Sequence, residues 1–480
     1  MAGFTRREML AVAAAASAAK SAFAQPRELA RLTIRQASDL LRSKSASPVE
    51  LTRACLDRIQ AYNSKLNAFI TVTGEQALAD ARVAEDEIRR GKWRGPLHGV
   101  PIALKDNIDT AGIRTTGGSE VFQDRVPTED AEAARRLKNA GAILIGKLNL
   151  VEFAYGGNPT VTHYGTVHNP WGLDRSPGGS SSGPGAAVAA DLCYGSLGTD
   201  TAGSIRMPAS NCGIVGLKPT YGRASLRGVI PLSWTLDHIG PLSKSVEDAA
   251  ILLQAIAGYD PLDTTTVDLA VPDYSRALRM PTTKLRLGRP ASYFDGLHPE
   301  VAKAVDAAIQ VLQPLTAGLS DVRLPAAVNG ARLWGPEAYL YHAPWFTKTP
   351  EKYQPAVRRS LQQSADAKAS DYVQARREVD QLRREIPKIF ASVDLLITPT
   401  MVTPPPPLVG GASGGPGRNN NAPFDVFGLP AISVPCGFSS DGLPIGLQII
   451  GAPFAESTVL ALAHAYEQKT DWHRRRPSIG

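Results

Sequence analysis

Two serines in glycine-rich surroundings are the first residues of this chain whose types could perform chemistry. The first, Ser180, lies in the block Arg175-Ser-Pro-Gly-Gly-Ser-Ser-Ser-Gly-Pro-Gly185. The second, Ser204, directly follows Thr201-Ala-Gly203. Glycine lets the backbone adopt positive φ and approach a ligand closely. A tight turn can direct successive N–H groups at one developing oxyanion, and each such donor contributes about 3–4 kcal/mol to acyl transfer. The two blocks indicate a site where serine hydroxyls and backbone N–H groups converge.

A lysine and an ion pair accompany these serines. Lys105 ends the apolar run 100–104, which predicts a lysine at the end of a buried strand. Burial lowers the pKa of a lysine, and a neutral lysine can act as a base. The alternative for an isolated lysine is a solvated surface charge. Asp200 and Arg206 flank the second serine block, either as a buried pair that holds the turn rigid or as a surface ion pair.

Several other interpretations of these motifs are weaker. Residues 179–183 match the G-x-S-x-G nucleophile elbow, but that motif follows a strand, and residues 169–177 have no strand pattern. A flexible Gly/Ser linker is disfavoured because structured apolar segments follow at once. The eight histidines are scattered and form no metal-binding motif. We therefore predict no metal and no cofactor.

The elements that must position these residues alternate between helices and short apolar strands. This pattern is typical of an α/β fold with a mixed or parallel sheet. Ser47-Pro48 is a good helix start, with serine as the cap and proline at the first position. Predicted helices cover residues 28–42, 48–62, 73–90, 130–140, 299–313, 370–391 and 456–468. Predicted strands cover residues 100–104, 142–146, 394–400, 431–435 and 445–450.

Composition and charge exclude other classes of protein. The chain has a net charge of +7, and its basic residues are dispersed except for Arg474-Arg-Arg476. Because nucleic-acid binding needs a concentrated basic face, we predict no nucleic-acid partner. The four cysteines have no zinc-site spacing. Buried free thiols are favoured, and a single disulfide remains open.

The N-terminus has the pattern of a targeting segment. Thr5-Arg-Arg-Glu-Met-Leu10 is a twin-arginine motif, an alanine-rich run follows, and Ala22-Phe-Ala24 provides a cleavage site. We therefore predict a signal peptide over residues 1–24, a mature domain over 25–480, and a periplasmic or secreted protein exported in folded form. The alternative is an uncleaved helix packed on the domain. The run is too short for a permanent membrane anchor.

Taken together, these motifs resemble the amidase signature family. The resemblance includes Lys105-Asp-Asn107, the glycine-serine block, Gly203-Ser-Ile-Arg206 and the segments 213–220, 237–241, 428–437 and 465–473. The spacing of 24 residues between the two serines also agrees with the family. The resemblance implies a single large α/β domain with a central mixed β-sheet flanked by helices on both faces.

The resemblance also implies a role for each site residue. Ser204 would be the nucleophile, Lys105 the neutral base, and Ser180, which would follow a cis peptide bond from Gly179, the bridge between them. The oxyanion hole would comprise the backbone N–H groups of Thr201, Ala202, Gly203 and Ser204. Gly179, Ser181, Asp200 and Arg206 would support the site structurally, and substrate-binding residues are expected at Tyr155, Gly156, Gly157 and Phe424.

Two departures from the family pattern affect substrate fit. Ala202-Gly203 replaces the more common Gly-Gly before the nucleophile, and Pro184 stiffens the helix entry. Aromatic residues in the 320–350 region, together with Phe424 and Phe427, suggest an apolar or aryl acyl group or else ordinary core packing.

The leading functional hypothesis is an amidohydrolase that forms an acyl-enzyme on Ser204 and acts on a small-molecule amide. Alternatives with the same three residues are a carbamate- or ester-cleaving enzyme and a tRNA-dependent amidotransferase subunit, which the export signal disfavours because charged tRNA is cytoplasmic. A catalytically silent exported binding protein is a further alternative, which the intact residues disfavour. The sequence leaves the substrate and the oligomeric state open.

Overall fold

In the residues that the computed structural model describes, 26–408 and 419–479, eleven β-strands form one continuous mixed sheet. Helices flank this sheet on both faces, so the predicted α/β fold with a central mixed sheet is confirmed. The strands are β1 (Phe69–Val72), β2 (Pro101–Lys105), β3 (Ile143–Leu148), β4 (Gly195–Asp200), β5 (Val215–Lys218), β6 (His238–Ser243), β7 (Arg286–Pro290), β8 (Gly318–Val322), β9 (Leu395–Pro399), β10 (Ala431–Phe438) and β11 (Pro444–Gly451).

The strand order is β1-β3-β2-β4-β6-β5-β10-β11-β9-β7-β8. β2 pairs in parallel with β3 and with β4, and β7 pairs in parallel with β8 and with β9. The remaining pairs are antiparallel. The C-terminal strands β9, β10 and β11 therefore lie inside the sheet, between β5 and β7.

Fifteen α-helices are present in the described residues. They are α1 (Pro26–Leu29), α2 (Ile34–Arg42), α3 (Pro48–Leu66), α4 (Gly74–Arg89), α5 (Glu132–Asn139), α6 (Ser182–Ala189), α7 (Arg206–Cys212), α8 (Val246–Ile256), α9 (Tyr274–Ala277), α10 (Pro299–Leu312), α11 (Ala331–Phe346), α12 (Pro355–Ala365), α13 (Ala369–Ile389), α14 (Ala422–Val426) and α15 (Glu456–Glu467).

Local sequence signals account for the start of α3. The Ser47 side chain accepts from the N–H of Glu50, and the Glu50 side chain accepts from the N–H of Ser47. This reciprocal capping box satisfies two N–H groups that a helix start leaves without partners, and Pro48 needs none. The predicted helix start at Ser47-Pro48 is confirmed.

Close packing of α6 on β4 brings the two serine blocks together. A Cβ atom added at Gly198, in the middle of β4, would lie 2.8 Å from Ser181 Oγ. Only glycine at this position lets the start of α6 lie so close to the strand. β4 therefore contains small residues, and its sequence has only a weak β-strand pattern. The prediction of strands from apolar runs consequently missed β4.

The N-terminal and cysteine predictions have different outcomes. The predicted signal peptide, residues 1–24, lies outside the described residues. Among the described residues, no helix is both long and apolar enough to span a bilayer. All four cysteines are buried and free, as favoured from the sequence.

Candidate active site

Two parallel strands bring polar side chains to one edge of the sheet. β2 ends at Lys105, and β4 ends with Thr199 and Asp200. β2 and β4 are direct neighbours in parallel register, with Leu104 opposite Leu197. The carboxyl ends of neighbouring parallel strands meet at the same edge, which is where α/β proteins place their ligands. The predicted position of Lys105 at a buried strand end is confirmed.

Lys105 is surrounded by hydroxyl groups. Its side chain is fully buried, and Nζ lies 2.8 Å from Ser180 Oγ and 2.8 Å from Thr199 Oγ1. Burial lowers the pKa of Lys105 to about 7, although the carboxylates of Asp237 and Asp200 oppose the shift. The lysine is therefore able to exchange a proton near neutral pH.

Ser180 contacts Lys105 through its hydroxyl group, and the next residue, Ser181, contacts the second serine block through its N–H. The peptide bond between Gly179 and Ser180 is cis, as the resemblance implied. The Ser180 side chain is fully buried, and its carbonyl accepts from the N–H of Val151 at 3.1 Å. The structure thus holds this hydroxyl against Lys105, away from solvent.

Ser204 lies on the turn between β4 and α7. The N–H of Ser181 donates to the Ser204 carbonyl at 3.3 Å, and Ser181 Oγ donates to the Thr199 carbonyl at 3.1 Å. These bonds connect the two serine blocks to each other and to β4. Ser204 lines the cavity beside this edge and is 7% exposed, whereas Lys105 and Ser180 are 0% exposed behind it.

The turn before Ser204 differs in one respect from the predicted oxyanion hole. The N–H of Gly203 donates to Asp200 Oδ1 at 2.5 Å, and that of Ile205 donates to Asp200 Oδ2 at 3.0 Å. Within the described part of the chain, the N–H groups of Ala202 and Ser204 have no acceptor. The prediction of Gly203 as an oxyanion donor is not met in this structure, because the Asp200 carboxylate already accepts its hydrogen.

Gly203 is nevertheless required for the shape of the turn. Its φ is +116°, and an added Cβ atom would lie 2.6 Å from the Cβ of Asn421. A side chain at this position would be strained and would collide with its neighbour. The glycine therefore lets the turn lie against the segment 419–421.

Arg206 and Asp200 form a buried ion pair, one of the two alternatives left by the sequence. The Arg206 guanidinium is fully buried and donates to Asp200, to Asp425 at 2.5 Å and to Gln448 at 2.7 Å. Burial raises the pKa of a carboxyl group, but Arg206, with Lys218, outweighs this effect and holds the pKa of Asp200 well below its usual range. Asp200 therefore stays ionised while it holds the turn.

A cavity of about 500 Å³ opens on Ser204. Its walls include the predicted Tyr155, Gly156 and Gly157, and Trp334 of α11. Phe424 was also expected to bind substrate, but it is fully buried in a core cluster and packs against Tyr293. Its aromatic ring contributes to the core instead of the cavity wall.

Three polar residues near the site were missed by the sequence analysis. Thr199 contacts Lys105, and Asn107 Nδ2 donates to Thr199 Oγ1 at 3.2 Å. Asp237 accepts from the Thr201 hydroxyl at 2.6 Å. The parallel pairing of β2 with β4 could have identified Thr199. Asp237 lies in the family-like segment 237–241 and directly precedes β6, whose His238 pairs with Asp200 of β4, but the pattern gave it no contact with the turn. The predicted donation by the backbone N–H of Thr201 stays a prediction.

Comparison with known proteins places this geometry in a family. The chain matches the family model described as Amidase over residues 50–460. It is 44% identical to a subunit of the glutamyl-tRNA(Gln) amidotransferase of Moorella thermoacetica, over 94% of this chain and 99% of that protein.

Two solved structures resemble the whole fold. Native peptide amidase from Stenotrophomonas maltophilia has a TM-score of 0.82 and 32% identity, covering 93% of this chain and 98% of that one. A subunit of the glutamyl-tRNA(Gln) amidotransferase of Thermotoga maritima has a TM-score of 0.76 and 30% identity, covering 94% of this chain and 98% of that one.

The predicted export to the periplasm or beyond is wrong. The relatives that align with 94% of the chain are named for an amidotransferase that acts on glutamyl-tRNA(Gln), and charged tRNA is a cytoplasmic molecule. The twin-arginine pattern alone was not sufficient to assign a location.

Proposed function

We propose that this chain, which belongs to the amidase family, cleaves an amide C–N bond through an acyl-enzyme on Ser204. One observation carries the proposal. Ser204 lines a cavity, whereas Ser180 and Lys105 lie buried behind it with 2.8 Å between Ser180 Oγ and Lys105 Nζ. A nucleophile that a substrate can reach, backed by a base it cannot reach, is the arrangement that covalent catalysis requires.

In the proposed reaction, Ser204 Oγ attacks the carbonyl carbon of the amide. Its proton passes to Ser180, whose own proton passes to neutral Lys105. The carbonyl oxygen becomes an oxyanion, which the N–H groups of Ala202 and Ser204 would stabilise. When the C–N bond breaks, Ser180 returns a proton to the leaving nitrogen. Water then attacks the acyl-enzyme by the same proton path and releases the carboxylic acid.

The buried ions keep this turn in place. Asp200 accepts hydrogen bonds from two N–H groups of the turn. Arg206 forms ion pairs with both Asp200 and Asp425 of α14. Donors that are fixed before the reaction need no reorganisation when the oxyanion forms, which supports a catalytic function of the turn. These ions would act as positioning groups and would not touch the substrate.

A second candidate is an amidotransferase subunit that performs the same amide cleavage within a larger assembly. The Moorella relative, which is 44% identical, is named as one subunit of such an enzyme, and this name implies other subunits. The TM-score is higher for the peptide amidase, 0.82, than for the Thermotoga protein, 0.76. Since the site chemistry is shared, activity of the chain alone is what separates the two candidates.

The test is intact-mass spectrometry after treatment with a fluorophosphonate probe. We expect one adduct on the wild-type chain and none on Ser204→Ala, with Ser182→Ala as the control that keeps the adduct. Ammonia or amine release by the purified chain alone would favour the hydrolase, and release only after addition of partner subunits would favour the amidotransferase. An adduct that persists in Ser204→Ala would contradict the assignment of the nucleophile.

A further inference from the structure

We infer that the cavity beside Ser204 selects substrates with a neutral acyl group and discriminates against acyl groups that carry a charge. This inference rests on the amide cleavage proposed above and specifies the class of amide. It follows from the residues of the cavity wall, from the hydrogen bonds that the wall already makes, and from the partners of the charged groups buried behind it.

The described wall of the cavity carries no charged side chain. Its apolar part includes Met207, Leu232, Trp334 and Met401. Tyr155 is its one titratable wall residue among those described, and burial raises the pKa of this phenol, which keeps it neutral at physiological pH. The wall therefore offers dispersion contacts and neutral dipoles to a substrate.

Most side-chain donor groups of the polar part already make at least one hydrogen bond within the protein. The carboxamide groups of Asn419, Asn420 and Asn421 each donate to backbone carbonyls at 2.8–3.1 Å. The Thr201 hydroxyl donates to Asp237, and the Ser360 hydroxyl donates to a carbonyl of its own helix. A carboxylate on the acyl group would find few free donors here, and an ammonium group would find no anion.

Buried charged groups behind the wall have partners inside the protein. The Asp237 carboxylate accepts from the wall residue Thr201 and also from the N–H groups of Leu232 and Ser233. Arg206, which precedes the wall residue Met207, is fully buried and is held by Asp200 and Asp425. Lys105 is also fully buried and contacts hydroxyl groups. Neither cation is placed to pair with a charge on the substrate, and an unpaired charge that loses water is strongly disfavoured.

Common biological amides with a charged acyl group fit this wall poorly. Free glutamine carries both an ammonium and a carboxylate group on its acyl portion, so it lacks partners for both charges in this wall. A cavity of about 500 Å³ falls in the range that holds ligands larger than a simple short amide. The matching class is an amide with a neutral aliphatic or aryl acyl group.

The test compares amides of similar length that differ in charge. We would measure kcat/KM for heptanamide, 6-aminohexanamide, adipamate and L-glutamine with the wild-type protein. We expect heptanamide to exceed each charged amide by about 100-fold or more. Equal rates, or preference for glutamine, would overturn the inference.

A pair of variants provides a matched control. Met401→Lys adds a cation to the wall, whereas Met401→Gln adds a neutral polar group of similar length. We expect Met401→Lys to raise the rate with adipamate relative to heptanamide at least tenfold over the ratio in Met401→Gln. Equal ratios in the two variants would contradict the assignment of this wall to the acyl group.

Binding to Ser204→Ala separates this inference from the proposed function. Calorimetry with this variant requires no turnover, and we expect it to bind heptanamide more tightly than the charged amides. If the wild type cleaves none of them but this order of binding holds, amide cleavage fails and charge selection stands. Equal binding, or no binding of heptanamide, would overturn charge selection.

Discussion

The ends of the neighbouring strands β2 and β3 each carry a buried lysine, and the two have different surroundings. Lys105 on β2 contacts the hydroxyl groups of Ser180 and Thr199 at 2.8 Å. Lys147 on β3 lies 3.3 Å from Asp106 Oδ1 and donates to a backbone carbonyl and to a threonine hydroxyl. Both side chains are at most 1% exposed.

The comparison shows that partners, more than burial, decide what a buried lysine can do. Burial lowers the pKa of both lysines, but the Asp106 carboxylate opposes this shift at Lys147 at contact distance. An ammonium group paired with a carboxylate is a structural cation. An amine surrounded by hydroxyl groups can take up and release a proton, as a base must.

The largest expected effect is the loss of activity in Lys105→Ala. Without the base, Ser180 has no acceptor for its own proton and so cannot take the proton of Ser204. The value of kcat/KM should therefore fall by about 10³-fold or more. Steady-state kinetics with a neutral amide would measure this loss, and circular dichroism would check that the variant is folded. Activity within tenfold of the wild type would contradict Lys105 as the base.

Lys147→Met is the matched variant and should show the opposite behaviour. It leaves the buried Asp106 without its cation, so we expect a loss of about 3–5 kcal/mol in the free energy of unfolding. The activity of the remaining folded protein should stay within tenfold of the wild type. Denaturant titration and active-site labelling would measure both quantities. A loss of activity as large as that of Lys105→Ala would mean that both lysines serve the reaction.

The pH dependence of kcat/KM should distinguish the two lysines further. The pKa of Lys105 is lowered to about 7, so its neutral, active form is lost as pH falls through 7. The rate should reach a plateau above that pH and fall about tenfold per pH unit below it. Rate measurements between pH 5 and 9 would test this, with Lys147→Met as the control that keeps the midpoint. A flat profile down to pH 5 would contradict Lys105 as the base.

The smallest effect is expected in Asp237→Asn. The negative charge of Asp237 favours the ammonium form of Lys105, and burial raises the pKa of Asp237 itself to about 7. Removing this charge should lower the pKa of Lys105, so the midpoint of the pH profile should move to lower pH. The asparagine oxygen can still accept from Thr201. A shift to higher pH would show that Asp237 does not act on Lys105 through its charge.

The sequence predicted the chemical centre better than the sheet around it. Lys105, Ser180 and Ser204 were singled out because each lies in a motif with a recognisable spacing; the structure brings them to one edge of the sheet, and their catalytic roles stay a proposal. By contrast, β4 was missed because the glycines that allow α6 to approach it weaken its strand pattern. α11 was missed because Pro336 and Pro344 interrupt its helical signal.

Residues whose environment depends on tertiary contacts were harder to predict. Asp237 lies in the family-like segment 237–241, but its contact with Thr201 depends on the pairing of β6 with β4, which the sequence did not reveal. Phe424 was assigned to the cavity because it is aromatic and close to a family motif, but aromatic rings serve cores as readily as binding sites. The sequence predicts the Gly203 N–H as an oxyanion donor, but the acceptor of this N–H depends on where the Asp200 carboxylate lies, which only the folded structure shows.

The contacts of Arg206 make the order of folding matter for activity. This residue directly follows the turn that carries Ser204, yet it is anchored by groups 215, 219 and 242 positions later in the chain. Contacts between residues so far apart in the sequence form late in folding, because closing a long loop costs conformational entropy before the contact energy is gained. During synthesis, Lys105, Ser180 and Ser204 leave the ribosome long before α14 and β11, so the nascent chain should acquire its activity only after these two elements have emerged.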